Sequence, residues 1–361
     1  MKLINLLGMS ALLMTMGCAG LHVSPPPSAH LMKADTNNVI QICLDQDGFL
    51  WPETNRPKAN GFFLNLIGSA QLLANIDSKD FSSSSNPFCS YYAQKHLARA
   101  ETVVNEITNK LTSGTELVVL IHGFNSSYED SGKAFSMLRG KIDTLYPRKR
   151  VYLEVFWDGL YSKRTHGFFP AFWLVAETYS QLAGVCGLRG ILNGIPESTP
   201  VRVVTHSRGA SVILSAVGTP NVWTNLSKTW PTYYDYMAFY KNMTTQTFRD
   251  FKDLKVAMIA PAIAPFDFKL IPTNHFQVYR LIVGFNTNDY ALKKKACFIK
   301  VGKLFGATTF GYDDCAFTRV QNEYGSDKIS RISYTGFSGH NFLEYIQKPE
   351  TLQILQELFS N

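Results

Sequence analysis

The sequence predicts an α/β fold in which a mostly parallel central sheet carries helices on both faces. The run Glu116–Ile121 is apolar after its first residue, as expected for a parallel strand buried on both faces, and Val201–Val204 is a similar run. Before the first run, residues 88–111 place apolar side chains at three- and four-residue steps, which is typical of one helix face. Because strands alternate with helices, we expect a parallel sheet covered on both sides.

The other elements continue this alternation in chain order. Short strand-like runs open the fold near residues 39–42. Later strands are predicted at residues 151–157, 254–260, 276–283 and 329–334. Later helices are predicted at residues 131–146, 170–192 and 207–217. No internal repeat is visible, so residues 39–361 are expected to form a single domain with a decorated N-terminus.

The composition indicates a globular chain with a substantial core. Of its 361 residues, 45% are hydrophobic and 17% are charged, which excludes a disordered protein. The formal net charge is +7, but the basic residues are scattered. Their densest run, Lys293–Lys295, is too short for a nucleic-acid-binding arm. We therefore expect no nucleic-acid partner.

The first residues have the pattern of an export signal. Lys2 precedes a short apolar stretch, Leu3–Met16, which is too short to span a bilayer and ends at small residues. The run Thr15–Cys18 resembles the lipobox of bacterial lipoproteins, although that motif usually has Leu where this chain has Thr15. We expect a signal peptide over residues 1–18, with Cys18 lipidated.

A proline-rich segment follows. Residues 19–38 include Pro25–Pro27 and are predicted to form a stiff, extended tether outside the fold. With Cys18 lipidated, the tether would hold the protein on a membrane of the bacterial cell envelope. Ordinary cleavage after Ala19 would instead give a periplasmic or secreted protein.

Export would place the remaining cysteines in an oxidising compartment, where disulfides can form. Two pairs would close local loops, Cys297 with Cys315 and Cys43 with Cys89, although spacing alone does not fix the connectivity. No cysteine pair has the spacing of metal ligands, so no metal site is predicted.

The motif Thr205–Gly209 stands between a predicted buried strand and a predicted helix. A sharp strand-to-helix turn would present Ser207 at its tip, and the helix N-terminus would direct positive partial charge at it. Such a turn needs small residues two positions before and two after the serine, where this chain has Thr205 and Gly209. Ser207 is therefore the predicted nucleophile.

A second motif, His122–Asn125, directly follows the strand that ends at Ile121. A loop at this position can lend a backbone N–H to an oxyanion hole, which stabilises charge that develops only in the transition state. We expect the two donors to be the main-chain amides of Phe124 and Arg208. A simple strand-ending turn is the alternative.

An acid and a base are expected after later strands, in the order serine, acid, histidine. Asp289 lies in a polar loop after the strand that ends at Val283, although a helix N-cap is its alternative role. His340 lies in a glycine-flanked loop after the last strand. The rival acids are Asp267, which follows another strand, and the pair Asp313–Asp314.

These motifs together resemble a known group of enzymes. The runs Val-Leu-Ile-His-Gly-Phe-Asn, Thr-His-Ser-Arg-Gly, Asn-Asp-Tyr-Ala-Leu and Ser-Gly-His-Asn are similar to those of bacterial α/β-hydrolases of the DUF900 group, within the esterase/lipase superfamily. The resemblance covers roughly residues 115–346 and implies a Ser207, Asp289 and His340 triad on an α/β-hydrolase fold. Members commonly have Met after the nucleophile, so Arg208 is expected to alter the charge at the pocket mouth.

The resemblance implies a serine esterase that works through an acyl-enzyme and needs no cofactor. Two aromatic-rich segments, residues 159–195 and 221–250, would either form a cap over an apolar acyl chain or pack as core helices. A cap would favour small-molecule or lipid esters. The alternatives are an acyltransferase or thioesterase with the same triad, a peptidase, and a non-catalytic surface lipoprotein.

Overall fold

The apolar runs of the sequence form the strands of one eight-stranded sheet. The structure is a computed structural model that describes residues 38–44, 48–51, 87–159, 176–177, 179–218, 248, 251–270, 279–293 and 308–360. The strands are β1 (Val39–Leu44), β2 (Leu50–Trp51), β3 (Glu116–Ile121), β4 (Arg150–Trp157), β5 (Val201–His206), β6 (Leu254–Ile259), β7 (Tyr279–Phe285) and β8 (Ile329–Ser333). The predicted signal peptide and nearly all of the predicted tether lie outside the described residues.

The strands lie in the order β2-β1-β4-β3-β5-β6-β7-β8. Strand β2 is antiparallel to β1, and every other neighbouring pair is parallel. Because the seven parallel strands share one direction, the loops that follow β3, β5, β7 and β8 all leave from the same edge of the sheet. This topology confirms the predicted α/β class and brings distant loops of the chain to one edge.

Helices cover both faces of the sheet. The α-helices are α1 (Pro87–Lys110), α2 (Tyr128–Leu145), α3 (Arg189–Asn193), α4 (Gly209–Val217), α5 (Asp314–Tyr324), α6 (Phe342–Gln347) and α7 (Pro349–Phe359). A π-helical segment, Ala183–Leu188, precedes α3, and two 3₁₀ helices span Pro265–Leu270 and Thr309–Gly311. In the described residues no helix is long and apolar enough to cross a membrane.

The two faces of β3 belong to two separate apolar clusters, as alternation along a strand requires. Leu117, Val119 and Ile121 pack with apolar residues of α1, α3, α4 and α5. Val118 and Leu120 pack instead with apolar residues of α2, α6 and α7. Burial on both faces explains why this strand is apolar throughout, and it confirms the prediction of helices on both sides.

One of the two possible cap segments is partly described. Residues 179–195 are mostly buried, and Tyr179, Leu188 and Ile191 join the apolar cluster that includes α4. This part of the chain is core packing, which is one of the two alternatives left open by the sequence. Residues 160–175 and nearly all of residues 221–250 lie outside the described residues.

The disulfide prediction is wrong in this structure, because Cys43 and Cys315 are free thiols. Cys43 lies within β1 and packs against the apolar cluster on one face of the sheet, where burial raises the pKa of its thiol to about 12. Cys315 is exposed in the first turn of α5. Cys297 and the side chain of Cys89 lie outside the described residues.

Candidate active site

Ser207 lies on the turn between β5 and α4, as the motif predicts. Its φ angle is 52°, a left-handed conformation that is uncommon for a residue other than glycine. The main chain of the turn is fixed by two hydrogen bonds, from Ser207 N–H to the Ile259 carbonyl (3.0 Å) and from Ala262 N–H to the Ser207 carbonyl (3.1 Å). A strained residue held in this way at a strand end is typical of a functional position.

Two glycines allow the first predicted loop to lie against this turn. A Cβ atom on Gly209 would lie 2.6 Å from the His122 carbonyl oxygen, and one on Gly123 would lie 2.8 Å from the Ser207 Cβ. Neither distance is tolerated by a real side chain. The loop after β3 and the turn after β5 are therefore in direct contact.

The loop after β3 is held by His122. Its Nε2 accepts from the Trp157 main-chain N–H (3.1 Å), its Nδ1 bonds the Gly123 carbonyl (2.8 Å), and the Trp157 indole N–H donates to the His122 carbonyl (2.8 Å). Burial lowers the pKa of His122 to about 4, so the ring is neutral with its proton on Nδ1. The loop that carries Phe124 is thus fixed, with Asn125 N–H bonded to the Gly159 carbonyl (2.6 Å).

The structure brings Ser207, His340 and Asp289 into one hydrogen-bonded series. The His340 Nε2 lies 2.8 Å from the Ser207 Oγ, and the His340 Nδ1 lies 2.5 Å from the Asp289 Oδ2. A carboxylate can only accept, so Nδ1–H donates to Asp289 and Nε2 is left to accept from the serine hydroxyl. This is the tautomer that a base acting on Ser207 requires.

Asp289 bonds both His340 and the main chain of its own turn. Its Oδ2 accepts from His340, while its Oδ1 accepts from the main-chain N–H groups of Ala291 (2.9 Å) and Leu292 (3.0 Å). The carboxyl group is fully buried. Oδ1 therefore stabilises the local turn, and Oδ2 orients the histidine.

The loops of the acid and the histidine are joined by hydrogen bonds that the sequence did not predict. Asn286 donates its side-chain N–H groups to the Phe337 carbonyl (3.0 Å) and to the Tyr345 hydroxyl (2.7 Å), and Tyr290 N–H donates to the Ser338 carbonyl (3.2 Å). These contacts fix the loop between β8 and α6 relative to the loop after β7.

Tyr345, on α6, contacts the acid directly. Its hydroxyl donates to the Asp289 Oδ2 over 2.6 Å, which is the same oxygen that accepts from His340. Burial and the charge of Asp289 both raise the pKa of the Tyr345 hydroxyl, so it stays protonated and remains a donor. The Asp289 carboxylate thereby accepts four hydrogen bonds, two from side chains and two from the main chain.

The rival acids lie elsewhere. The Asp267 Oδ2 accepts from the Ala264 N–H over 2.7 Å at the start of the 3₁₀ helix after β6, and no hydrogen bond joins Asp267 to His340 in the described residues. The Asp313 Oδ1 caps α5 by accepting from Ala316 N–H, and Asp314 pairs with Arg331. These three carboxylates have the local structural roles that aspartates commonly take.

Arg208 differs from expectation. Its backbone stands at the N-terminus of α4, beside Ser207, as predicted. Its side chain is only 1% exposed, however, and it points into the protein rather than to the pocket mouth. The guanidinium donates to the Ala262 carbonyl (2.8 Å) and pairs with Glu177 (3.2 Å).

His206 completes the surroundings of the histidine. Its ring stacks on Phe342 with centroids 4.7 Å apart, and it lies 4.9 Å from the His340 ring. Burial lowers the pKa of His206 well below its usual value, and the nearby histidines lower it further. A neutral neighbour of this kind does not oppose the positive charge that His340 would gain on taking up a proton.

The fold and the site together define an α/β protein with a Ser–His–Asp hydrogen-bonded series at the carboxyl edge of its sheet. No family model matches the chain, and no curated protein sequence matches it. It has some similarity to esterase 2 from Thermogutta terrifontis. The form phosphorylated by paraoxon is 12% identical over 68% of this chain and 85% of that chain, with a TM-score of 0.32.

Two further forms of the same esterase give similar values. The apo form is 11% identical over 67% of this chain and 81% of that chain, with a TM-score of 0.31. The form phosphonylated by sarin is 11% identical over 68% and 86%, also with a TM-score of 0.31. Likenesses of this size carry no argument about function, which rests on the geometry of the site. Membership of the DUF900 group stays a prediction.

Proposed function

We propose that the protein is a serine hydrolase that cleaves carboxylic esters through an acyl-enzyme on Ser207. The observation that carries the proposal is the series in which His340 bonds the Ser207 hydroxyl at 2.8 Å and Asp289 at 2.5 Å. A nucleophile within reach of a base, with the base oriented by a third group, is the arrangement that activates a serine.

The cycle begins when His340 Nε2 takes the hydroxyl proton as the Ser207 Oγ attacks the ester carbonyl carbon. The carbonyl π electrons move to oxygen, and a tetrahedral oxyanion forms. Its collapse breaks the bond to the leaving alcohol, which receives the proton from His340. Water then attacks the acyl-enzyme with His340 again as the base, and the carboxylic acid and the free serine are released.

Charge stabilisation is assigned to the main chain. The Phe124 amide belongs to the loop after β3, and the Arg208 amide belongs to the turn after β5. Gly123 and Gly209 allow these two segments to lie in direct contact. Donors that are fixed before the reaction stabilise an oxyanion without having to reorganise. Removing one such donor lowers kcat by about 10²- to 10³-fold. Asp289, buried and fully hydrogen-bonded, would stabilise the imidazolium of His340 in the same step.

The proposed substrate is a small-molecule or lipid ester with an apolar acyl group. The aromatic residues of segment 160–175 support this choice, because this segment follows β4, which ends at the carboxyl edge of the sheet. A transferase or thioesterase would use the same side chains, and it would differ in passing the acyl group to an added alcohol or taking it from a thioester.

The test is labelling with a fluorophosphonate together with p-nitrophenyl ester hydrolysis over a series of acyl lengths. Ser207→Ala should abolish labelling and lower kcat at least 10³-fold, about the loss expected when a triad nucleophile is removed. Ser136→Ala, which alters an exposed serine on α2, is the matched control and should react like the natural protein. Folded protein that never reacts, or that reacts equally after Ser207→Ala, would overturn the proposal.

A further inference from the structure

Three ionisable side chains that the proposed reaction does not use lie close together near the turn that carries Ser207. Arg208, Asp267 and Glu177 come from three different parts of the chain, and the first two are almost completely buried. Arg208 pairs with Glu177 at 3.2 Å, and its positive charge acts on Asp267. We call these three residues the Arg208 cluster.

Burying a guanidinium is expensive unless it is paired and hydrogen-bonded. An apolar residue of similar length would fill the same space without that cost. Arg208 is held by a carboxylate on one side and by the Ala262 carbonyl on the other. Arg208 is a buried cation directly after the nucleophile. Filling space does not require a cation there, so Arg208 has a further role.

The contacts of Arg208 show what it holds. Ala262 N–H already bonds the Ser207 carbonyl (3.1 Å), and the Arg208 guanidinium bonds the carbonyl of that same Ala262 (2.8 Å). The peptide unit between Ser207 and Arg208, which carries the Arg208 N–H, is thus linked at both ends to the loop after β6. Glu177 links the guanidinium to a third part of the chain.

Asp267 strengthens the loop that receives these bonds. Its Oδ2 accepts from the Ala264 N–H (2.7 Å), two residues beyond the carbonyl that Arg208 bonds. Asp267 also faces the charges of Arg208 and Glu177. The cluster therefore fixes both the side-chain end of Arg208 and the loop on which it rests.

We propose that the buried guanidinium of Arg208, held by Glu177 and the Ala262 carbonyl, is a positioning residue that fixes the Arg208 main-chain amide as an oxyanion donor. The inference rests on the proposed function of Ser207. It assigns Arg208 two separate contributions, a backbone donor to the oxyanion and a side chain that aligns this donor.

The test compares Arg208→Met, Arg208→Lys and Glu177→Gln on p-nitrophenyl esters. Arg208→Met should lower kcat by about 10- to 100-fold with KM changed less than about twofold, because a misaligned oxyanion donor weakens only the transition state. Arg208→Lys keeps the charge and one bond, so it should recover part of that loss. Glu177→Gln should cause a smaller fall in kcat, and its effect should be less than additive with Arg208→Met.

Arg189→Lys is the matched control. Arg189 is another buried arginine, and it bonds the carbonyls of Ser215 (2.6 Å) and Ala216 (2.8 Å) at the far end of α4 from Ser207. This variant should be less stable to heat, and its kcat should stay within about twofold of that of the natural protein.

The outcomes separate the two proposals. If Ser207→Ala is inactive but folded Arg208→Met keeps natural kcat, the positioning role is wrong and the proposed function stands. If Arg208→Met does not fold, Arg208→Lys and Glu177→Gln decide: unchanged kcat in both overturns the role, and a selective fall in kcat supports it. A Ser207→Ala variant with natural activity would overturn the proposed function itself.

Discussion

Tyr345 is the residue whose importance to the site is least visible in the sequence. Its hydroxyl donates to the Asp289 oxygen that also accepts from His340, and it accepts from Asn286. A donor to a carboxylate keeps the carboxylate oriented without neutralising it. Tyr345 is therefore expected to act on the reaction through the histidine rather than on the substrate.

Tyr345→Phe should lower kcat about tenfold or more with little change in KM, because a hydrogen bond to a charged group contributes roughly 1.5–3 kcal/mol. The measurement is kcat and KM for a p-nitrophenyl ester across pH. Tyr334→Phe is the matched control, since Tyr334 is buried, its ring lies 4.7 Å from that of Tyr345, and its hydroxyl bonds Thr351 rather than the triad. Equal losses of kcat in both variants would refute a specific role for Tyr345.

The sequence predicted which side chains would meet at the site, but not the residues that support them. Ser207, Asp289 and His340 could be chosen because each follows a strand, and parallel strands end at one edge. Tyr345 lies inside a helix, 56 residues from Asp289, and its pattern is that of an ordinary core residue. Only the packing of α6 against the sheet decides that its hydroxyl meets a carboxylate.

At the scale of elements, long apolar runs were predicted well and short or polar elements were not. Strand β3 was predicted with its observed bounds, because burial on both faces leaves a continuous apolar run. Strand β2 has two residues, too few for any periodicity, and it was not predicted. The 3₁₀ helix at Pro265–Leu270 was not predicted either, since its start depends on a buried aspartate.

That aspartate gives this element a predictable response to pH. Burial raises the pKa of Asp267 from 3.8 to about 7, with Arg208 opposing and Glu177 adding to the shift. Between these two values the folded protein keeps a proton that the unfolded chain has lost. The contribution of Asp267 to stability is therefore largest below about pH 4, falls as the pH rises to about 7, and is constant above.

Asp267→Asn should remove this dependence. The free energy of unfolding of the variant, relative to the natural protein, should rise between pH 4.5 and 7.5, with a slope of at most about 1.4 kcal/mol per pH unit. Urea unfolding at several pH values measures it. Asp313→Asn is the control, because Asp313 also accepts from a nearby main-chain amide but is partly exposed. A relative stability of Asp267→Asn that does not vary with pH would contradict the assignment.

At the scale of the whole molecule, the parallel sheet has an amino edge and a carboxyl edge, and the entry of the chain and the candidate site lie at different edges. Asn38, the first described residue, directly precedes β1, so the chain enters the fold at the amino edge of the parallel strands. Ser207 follows the last residue of β5, at the carboxyl edge. A six-residue strand spans about 20 Å, so Asn38 and Ser207 lie at opposite edges of the sheet.

We propose that Cys18 is lipidated and that the tether holds the enzyme on a membrane of the cell envelope, with the candidate site facing away from the point of attachment.

Cys18→Ser should then move the protein from the membrane fraction to the soluble fraction. It should leave kcat/KM for a soluble p-nitrophenyl ester within about twofold, because the chain enters the fold at the opposite edge of the sheet from Ser207. Cys315→Ser removes an exposed cysteine on α5 and should stay in the membrane fraction. A Cys18→Ser protein that remains in the membrane fraction would show that another feature anchors it, and a large loss of kcat/KM would show that the N-terminal segment reaches the site.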